Sequence, residues 1–199
     1  MGLVARSRGD CERAAARLEE SLALRRERGD ERSVAASLGF LGLVALDQGE
    51  YERAEGLLEE SLALLQGSGV TWDIPFALVG LGHAVLRRNE YERAAALLRE
   101  GLQVQWAMGD AQYLGWCLEG LAAVAWAHGL PVRAARLCGA ADALRRELPG
   151  ESPADRAAHQ RTVMAARAAL GDEDFATAWA AGRALLPEQL IDEALHDGP

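Results

Sequence analysis

The side chains able to do chemistry are few and scattered. The four histidines, His83, His128, His159 and His196, fall far apart, with no H-E-x-x-H or His-Cys spacing that would converge on zinc. Cys11, Cys117 and Cys138 are odd in number and lack C-x-x-C spacing, so they describe no disulfide framework. Cys138 stands in register with Leu58 and Leu98, as a small core residue would. No G-x-S-x-G elbow presents a nucleophile, and no G-x-x-x-x-G-K-[ST] loop cradles phosphate. The carboxylate runs Glu19-Glu20, Glu59-Glu60 and Asp172-Glu173-Asp174 fit wet faces or helix starts, where negative charge is favoured. These patterns predict no catalysis, no cofactor and no metal.

A second set of residues has binding chemistry. Phe76, Val79, His83 and Arg87 recur at helical spacing in one segment, and Trp116, Glu119 and Trp126 in another. Aromatic anchors beside a few polar groups are what a peptide or small-molecule site requires.

The elements that must position them are set by a repeat. Gly9-Asp10-Cys11-Glu12-Arg13-Ala14 returns as Gly49-Glu50-Tyr51-Glu52-Arg53-Ala54, again as Asn89-Glu90-Tyr91-Glu92-Arg93-Ala94, and faintly as Gly129-Leu130-Pro131-Val132-Arg133-Ala134. Residues 9–24 and 49–64 are identical at 11 of 16 positions. A fixed period of this size means stacked supersecondary units, each burying its apolar face only against its neighbours.

Each unit reads as two amphipathic helices. Ala54, Leu57, Leu58, Ser61, Leu62 and Leu65 form the apolar stripe of a second helix, and Val34, Leu38, Leu41, Gly42 and Ala45 that of a first. Gly42, Gly82 and Ala122 stand in register, and small residues in mid-helix point to close approach of a neighbour. Gly49, Asn89 and Gly129 fall where the first helix must end in a left-handed cap. The spacing predicts helices near 10–27, 31–48, 51–66, 72–88, 91–108, 111–128 and 131–147. Turns fall at Gly29-Asp30, Gly67-Ser68-Gly69 and Gly109-Asp110. After a break at Pro149-Gly150, Ser152-Pro153-Ala154-Asp155 opens a helix to about Leu170 with a capping box. Two more helices follow, near 172–184 and 187–196. This divides the chain into repeats over 1–148 and a helical cap over 149–199.

Residues 1–8 align with the last turns of a first-type helix, through Val4-Ala5 and Val44-Ala45. Its earlier turns are missing, so Ala14, Leu18 and Leu22 should be exposed with half a partner. Either the chain continues upstream, the preferred reading, or this end forms a homodimer contact.

Composition narrows the partners. The net charge is −9 with a pI near 5.0, against direct nucleic-acid binding or an acidic membrane surface. All 21 basic residues are Arg, which fits a GC-rich bacterial genome. No stretch is long and apolar enough to span a bilayer, and no signal-peptide core precedes Asp10, so a cytoplasmic location is expected.

The pattern Leu38-x-x-Leu41-Gly42-x-x-Ala45-x-x-x-Gly49-x-Tyr51-x-x-Ala54, closing with Leu58 and Leu62, resembles the tetratricopeptide repeat. That family has a 34-residue helix–turn–helix unit. The longer period here is assigned to longer helices and looser turns. The resemblance covers about residues 1–147 and implies an all-α, right-handed solenoid closed by C-terminal capping helices.

The tail is more distinctive. Arg133-Ala134-Ala135-Arg136-Leu137-Cys138-Gly139-Ala140-Ala141-Asp142, followed by Leu170-Gly171 and Phe175-x-x-Ala178-Trp179-x-x-Gly182-Arg183, resembles the carboxyl end of LuxR-type and related bacterial regulators carrying a signal-transduction ATPase. Only their sensor arm is implied, because the phosphate loop and a basic recognition helix are both missing from this sequence.

In the tetratricopeptide fold the first helix of each unit lines the concave face. The resemblance therefore puts Phe76, Val79, His83, Arg87, Trp116, Glu119 and Trp126 in a groove for a protein, a peptide or a small-molecule effector. The alternative is that both tryptophans fill gaps between helices or pack on the tail, and that His83 is a core residue. The carboxylate clamp of chaperone-tail-binding repeats is not expected. Lys is absent, and His83, with Leu43 and Ala123 in register, stands where Asn would. The expected function is a non-catalytic scaffold, as the sensing arm of a signalling ATPase or transcription regulator; the alternative is a free-standing adaptor.

Overall fold

A computed structural model describes residues 2–67, 73–109, 113–144 and 152–195. Among these, all regular structure is α-helical, as the repeat predicts. The helices are α1 (Gly2–Ser7), α2 (Cys11–Glu27), α3 (Glu31–Gln48), α4 (Tyr51–Gly67), α5 (Ile74–Arg87) and α6 (Tyr91–Ala107). They continue as α7 (Leu114–Ala127), α8 (Pro131–Leu144), α9 (Pro153–Leu170), α10 (Asp172–Arg183) and α11 (Pro187–Leu195). The anticipated turns at Ser68-Gly69 and Asp110, the break at Pro149-Gly150 and the boundary at 148 lie outside the described residues.

Local chemistry starts these helices, and the left-handed caps fall where the repeat predicts them. Asp10 and Asp30 each accept a hydrogen bond from the backbone N–H three residues on, at Arg13 and Ser33. Gly9, Gly49 and Gly129 have φ between +73° and +78°, and Asn89 keeps the same left-handed turn with φ +64°. The Asn89 carboxamide oxygen accepts from the Tyr91 hydroxyl at 2.8 Å.

Packing then joins neighbours into a solenoid, with α3 against α4, α5 against α6 and α7 against α8 as its hairpins. The in-register small residues do bring helices close. A Cβ on Gly42 would lie 2.6 Å from Leu58 Cγ, and one on Gly82 2.8 Å from Leu98 Cγ. In the third pair Leu gives way to the smaller Cys138 and Gly to Ala122, both fully buried, so the added methyl offsets part of the lost volume.

The N-terminal stripe departs from expectation. Ala14, Leu18 and Leu22 are buried rather than exposed, in an apolar cluster with Ala5, Val34, Leu38 and Leu41. The single short α1 and the whole of α3 suffice to cover α2. The apolar stripe of α2 expected to offer a homodimer contact is therefore covered within the chain.

An ion-pair ladder crosses the second-type helices. Arg53 of α4 reaches Glu19 of α2 at 3.0 Å, and Arg93 of α6 reaches Glu59 of α4 at 2.8 Å, one period later. The next rung would join Arg133 to position 99, but that position holds Arg99. Both guanidiniums instead donate to the end of α11: Arg133 to Glu193 O at 3.0 Å and Arg99 to Ala194 O at 3.3 Å. Cations suit a helix C-terminus, whose last carbonyls have no partner within the helix. Leu190, Ile191 and Ala194 are buried there.

The remaining C-terminal helices attach in two different ways. Helix α10 lies backbone to backbone on α8: a Cβ on Gly182 would fall 1.9 Å from Arg136 O, and one on Gly139 2.2 Å from Trp179 O. Helix α9 instead lies over α7 and α8, while its N-terminus meets α1 and α3.

Candidate functional site

The expected groove residues separate into two groups. His83 and Arg87 of α5 converge with Trp116, Glu119 and Trp126 of α7 on one cavity of about 180 Å³. Its outer wall is α9, through Asp155, Ala158, His159 and Thr162. Phe76 and Val79 do not line it. Val79 is fully buried, and its Cγ2 fills the space left by the missing Cβ of Gly101, so it faces α6. Phe76 belongs to an aromatic row, 5.0 Å from the Phe40 ring and 5.6 Å from Tyr113, over the gap left by Gly39. Both share the His83 side of α5 in projection, Val79 one turn and Phe76 two turns towards its N-terminus, so their offset from the cavity runs along the helix axis.

Trp116 and Trp126 divide the floor and the rim. Trp116 is 6% exposed and its indole stacks on the His83 ring, centroids 4.6 Å apart and planes 13° apart. Trp126 is 37% exposed at the edge. The His83 Nε2–H donates to the Trp116 carbonyl at 3.0 Å, which leaves Nδ1 as the acceptor. Burial pushes the His83 pKa down to about 4, so the ring is neutral at physiological pH.

The charged groups are partly satisfied across the cavity. His159 Nδ1 lies 3.6 Å from Glu119 Oε1. Burial, followed by the neighbouring Arg161 charge, holds the Arg87 guanidinium below the usual arginine range, and Asp155 and Asp47 oppose that shift. Burial also suppresses ionisation of the Cys117 thiol, which leaves that sulfur a packing atom.

At one end of the cavity lies a buried polar cluster. Arg6 Nε is 2.7 Å from Asp47 Oδ2, and Arg6 Nη2 donates to Asp155 Oδ2 at 2.7 Å. The Ser152 hydroxyl donates to Asp47 Oδ1 at 2.8 Å. Ser152 and Asp155 also complete the predicted capping box, with Ser152 N donating to Asp155 Oδ2 at 3.0 Å and Asp155 N to Ser152 Oγ at 3.1 Å. Asp47 has its pKa raised: burial outweighs the favourable Arg6 charge, and the nearby Asp155 adds to the rise. The sequence marks Asp155 as a cap, but nothing in it links Asp155 or Asp47 to Arg6. Tyr91 and the α9 wall are likewise additions that only the tertiary arrangement supplies.

Among the described residues, no group of three or more His, Cys, Asp or Glu side chains is placed to hold a metal ion. No helix of the described residues is long and apolar enough to cross a membrane.

No curated protein matches the chain. Residues 1–67 match the tetratricopeptide repeat family, which makes this stretch, α1 to α4, a tetratricopeptide-repeat region within an all-helical solenoid.

Proposed function

We propose that the chain is a protein-binding scaffold whose concave face is the docking surface, and that it serves as the partner-sensing arm of a bacterial signalling ATPase or transcription regulator. The observation that carries the docking surface is the convergence of His83, Arg87, Trp116, Glu119 and Trp126 on one concave cavity. A stacked aromatic floor beside half-buried charge gives both contact area and orientation. The regulator context rests on the resemblance of the tail, 133–183, and a cytoplasmic setting follows from it. A free-standing adaptor is the second reading, favoured by the repeat region alone.

Site-specific photo-crosslinking in the cells that make the protein separates these. A crosslinking residue at Ala127, on the exposed rim of the cavity, should capture a discrete partner, while one at exposed Leu24 on α2 should not. A partner bearing a nucleotide-binding or DNA-reading module supports the sensing arm. A structural subunit supports the adaptor. Capture only from Leu24 would remove the concave face as the docking surface.

A further inference from the structure

Resting on that reading of the concave face, we infer that the face is a helix-binding groove, that α9 is its resident occupant, and that its partner is a helix of α9's own chemistry. Such a helix has a serine or threonine cap, an acid at its third position and a polar seam like that of His159 and Thr162 behind.

The way α9 is held distinguishes it from the elements around it. Its inward seam runs through Ser152, Asp155, His159, Thr162 and Ala166, at helical spacing. Ala166 alone of these joins the apolar core. Helix α10 contributes Phe175 and Ala178 to that core, and its backbone touches α8 through Gly139 and Gly182. Helix α10 is locked by close backbone packing; α9 is held by polar contacts over its N-terminal half, with Val163, Ala166 and Leu170 packing on the core further along.

Charge accounts for the direction in which α9 lies. At the N-terminal end of the groove Arg6 meets Asp47, and Arg87 feels the opposing charges of Asp47 and Asp155 beside the like charge of Arg161 on α9. Asp155 supplies the second carboxylate, on Arg6. An acid in the first turn of a helix also suits the positive end of its own dipole, so the groove selects that end of an incoming helix.

The fit is incomplete, which leaves room for a better ligand. Helix α9 spans about 27 Å of the face at 1.5 Å per residue over 18 residues. The cavity of about 180 Å³ stays open beneath Ala158, bounded opposite by Ala123 and Trp116. A resident with a void under its centre forfeits dispersion contacts that a larger side chain would recover. Gly171, at φ +79°, joins α9 to α10 and permits a change of direction there without moving α10.

The test uses the full chain and a fluorescein-labelled peptide of residues 152–170. In the Asp155→Arg chain, a guanidinium set against Arg6 should release α9 and open the groove. That chain is expected to bind the peptide at least about tenfold more tightly than the unaltered chain does. A peptide carrying Ala158→Leu should bind more tightly still, and one carrying Asp155→Arg should not bind. Circular dichroism and a cooperative melt establish that the variant is folded; if it is not, the milder Ser152→Ala/Asp155→Asn chain carries the same comparison. Equal peptide binding by the opened and unaltered chains, or by the natural and Asp155→Arg peptides, would overturn the inference. Concave crosslinks at Ala127 would still stand in that case, so its failure is distinguishable from failure of the docking surface itself.

Discussion

Arg6 and Asp155 are 149 positions apart in the chain, and their side chains meet at 2.7 Å. Asp47 lies on the same guanidinium, and both the Arg6 and Asp47 side chains are 3% exposed. Removing the cation leaves two carboxylates sharing a site sheltered from water. Arg6→Ala should therefore cost on the order of 3 kcal/mol, the scale for breaking one partner out of a buried pair. Urea unfolding measures it, and a loss below about 1 kcal/mol would mean that water enters the cluster freely.

His83 makes stability depend on pH in a defined direction. Its pKa is about 4 in the fold against 6.5 as a free side chain, so between these values the unfolded chain binds more protons. Stability from this group is complete above about pH 6.5 and declines as pH falls towards 4, by up to about 1.4 kcal/mol per pH unit. Asp47 acts in the opposite sense just above its ordinary range, because its folded pKa is raised. Comparing the unaltered chain with His83→Asn isolates the histidine: the difference between their melting curves should narrow as the pH is lowered. A difference that stays constant from pH 7 to 4.5 would mean that His83 is not the titrating group.

Two glycines in helices should respond to alanine with opposite signs. Gly56, in α4, has open space where a Cβ would go, so Gly56→Ala should stabilise by roughly 0.5–1 kcal/mol through helix propensity. Gly182 gains the same propensity, but its Cβ would meet the Arg136 carbonyl oxygen. The collision should dominate, so Gly182→Ala is expected to destabilise by about 1–3 kcal/mol. Thermal melts of the two variants decide the signs.

Arg99→Glu should rebuild the third rung of the ladder with Arg133 and loosen α11. The new carboxylate would face the Glu193 and Ala194 end of that helix, where negative charge is unfavourable. Amide hydrogen exchange over Leu190–Leu195 should accelerate, while α6 keeps its protection. Unchanged exchange would show that Leu190 and Ile191 alone retain the helix.

What the sequence by itself determined is whatever is local or periodic. Helix starts at Asp10, Asp30 and Ser152, the left-handed caps at Gly49, Asn89 and Gly129, and the close approach of a neighbouring helix at Gly42 all follow from signals within one unit. The gathering of His83, Arg87, Trp116, Glu119 and Trp126 was legible because a repeat of forty residues puts like positions on like faces. Periodicity puts Phe76 and Val79 on the His83 side of α5 but cannot say how far along that helix the cavity extends. The tertiary structure alone decided where α9 goes. Its seam of Asp155, His159 and Thr162 reads as an ordinary polar face, and its counterpart Arg6 lies at the other end of the chain. A capping box fixes where a helix begins, but its docking site is chosen by charge and shape contributed from segments that no local pattern connects.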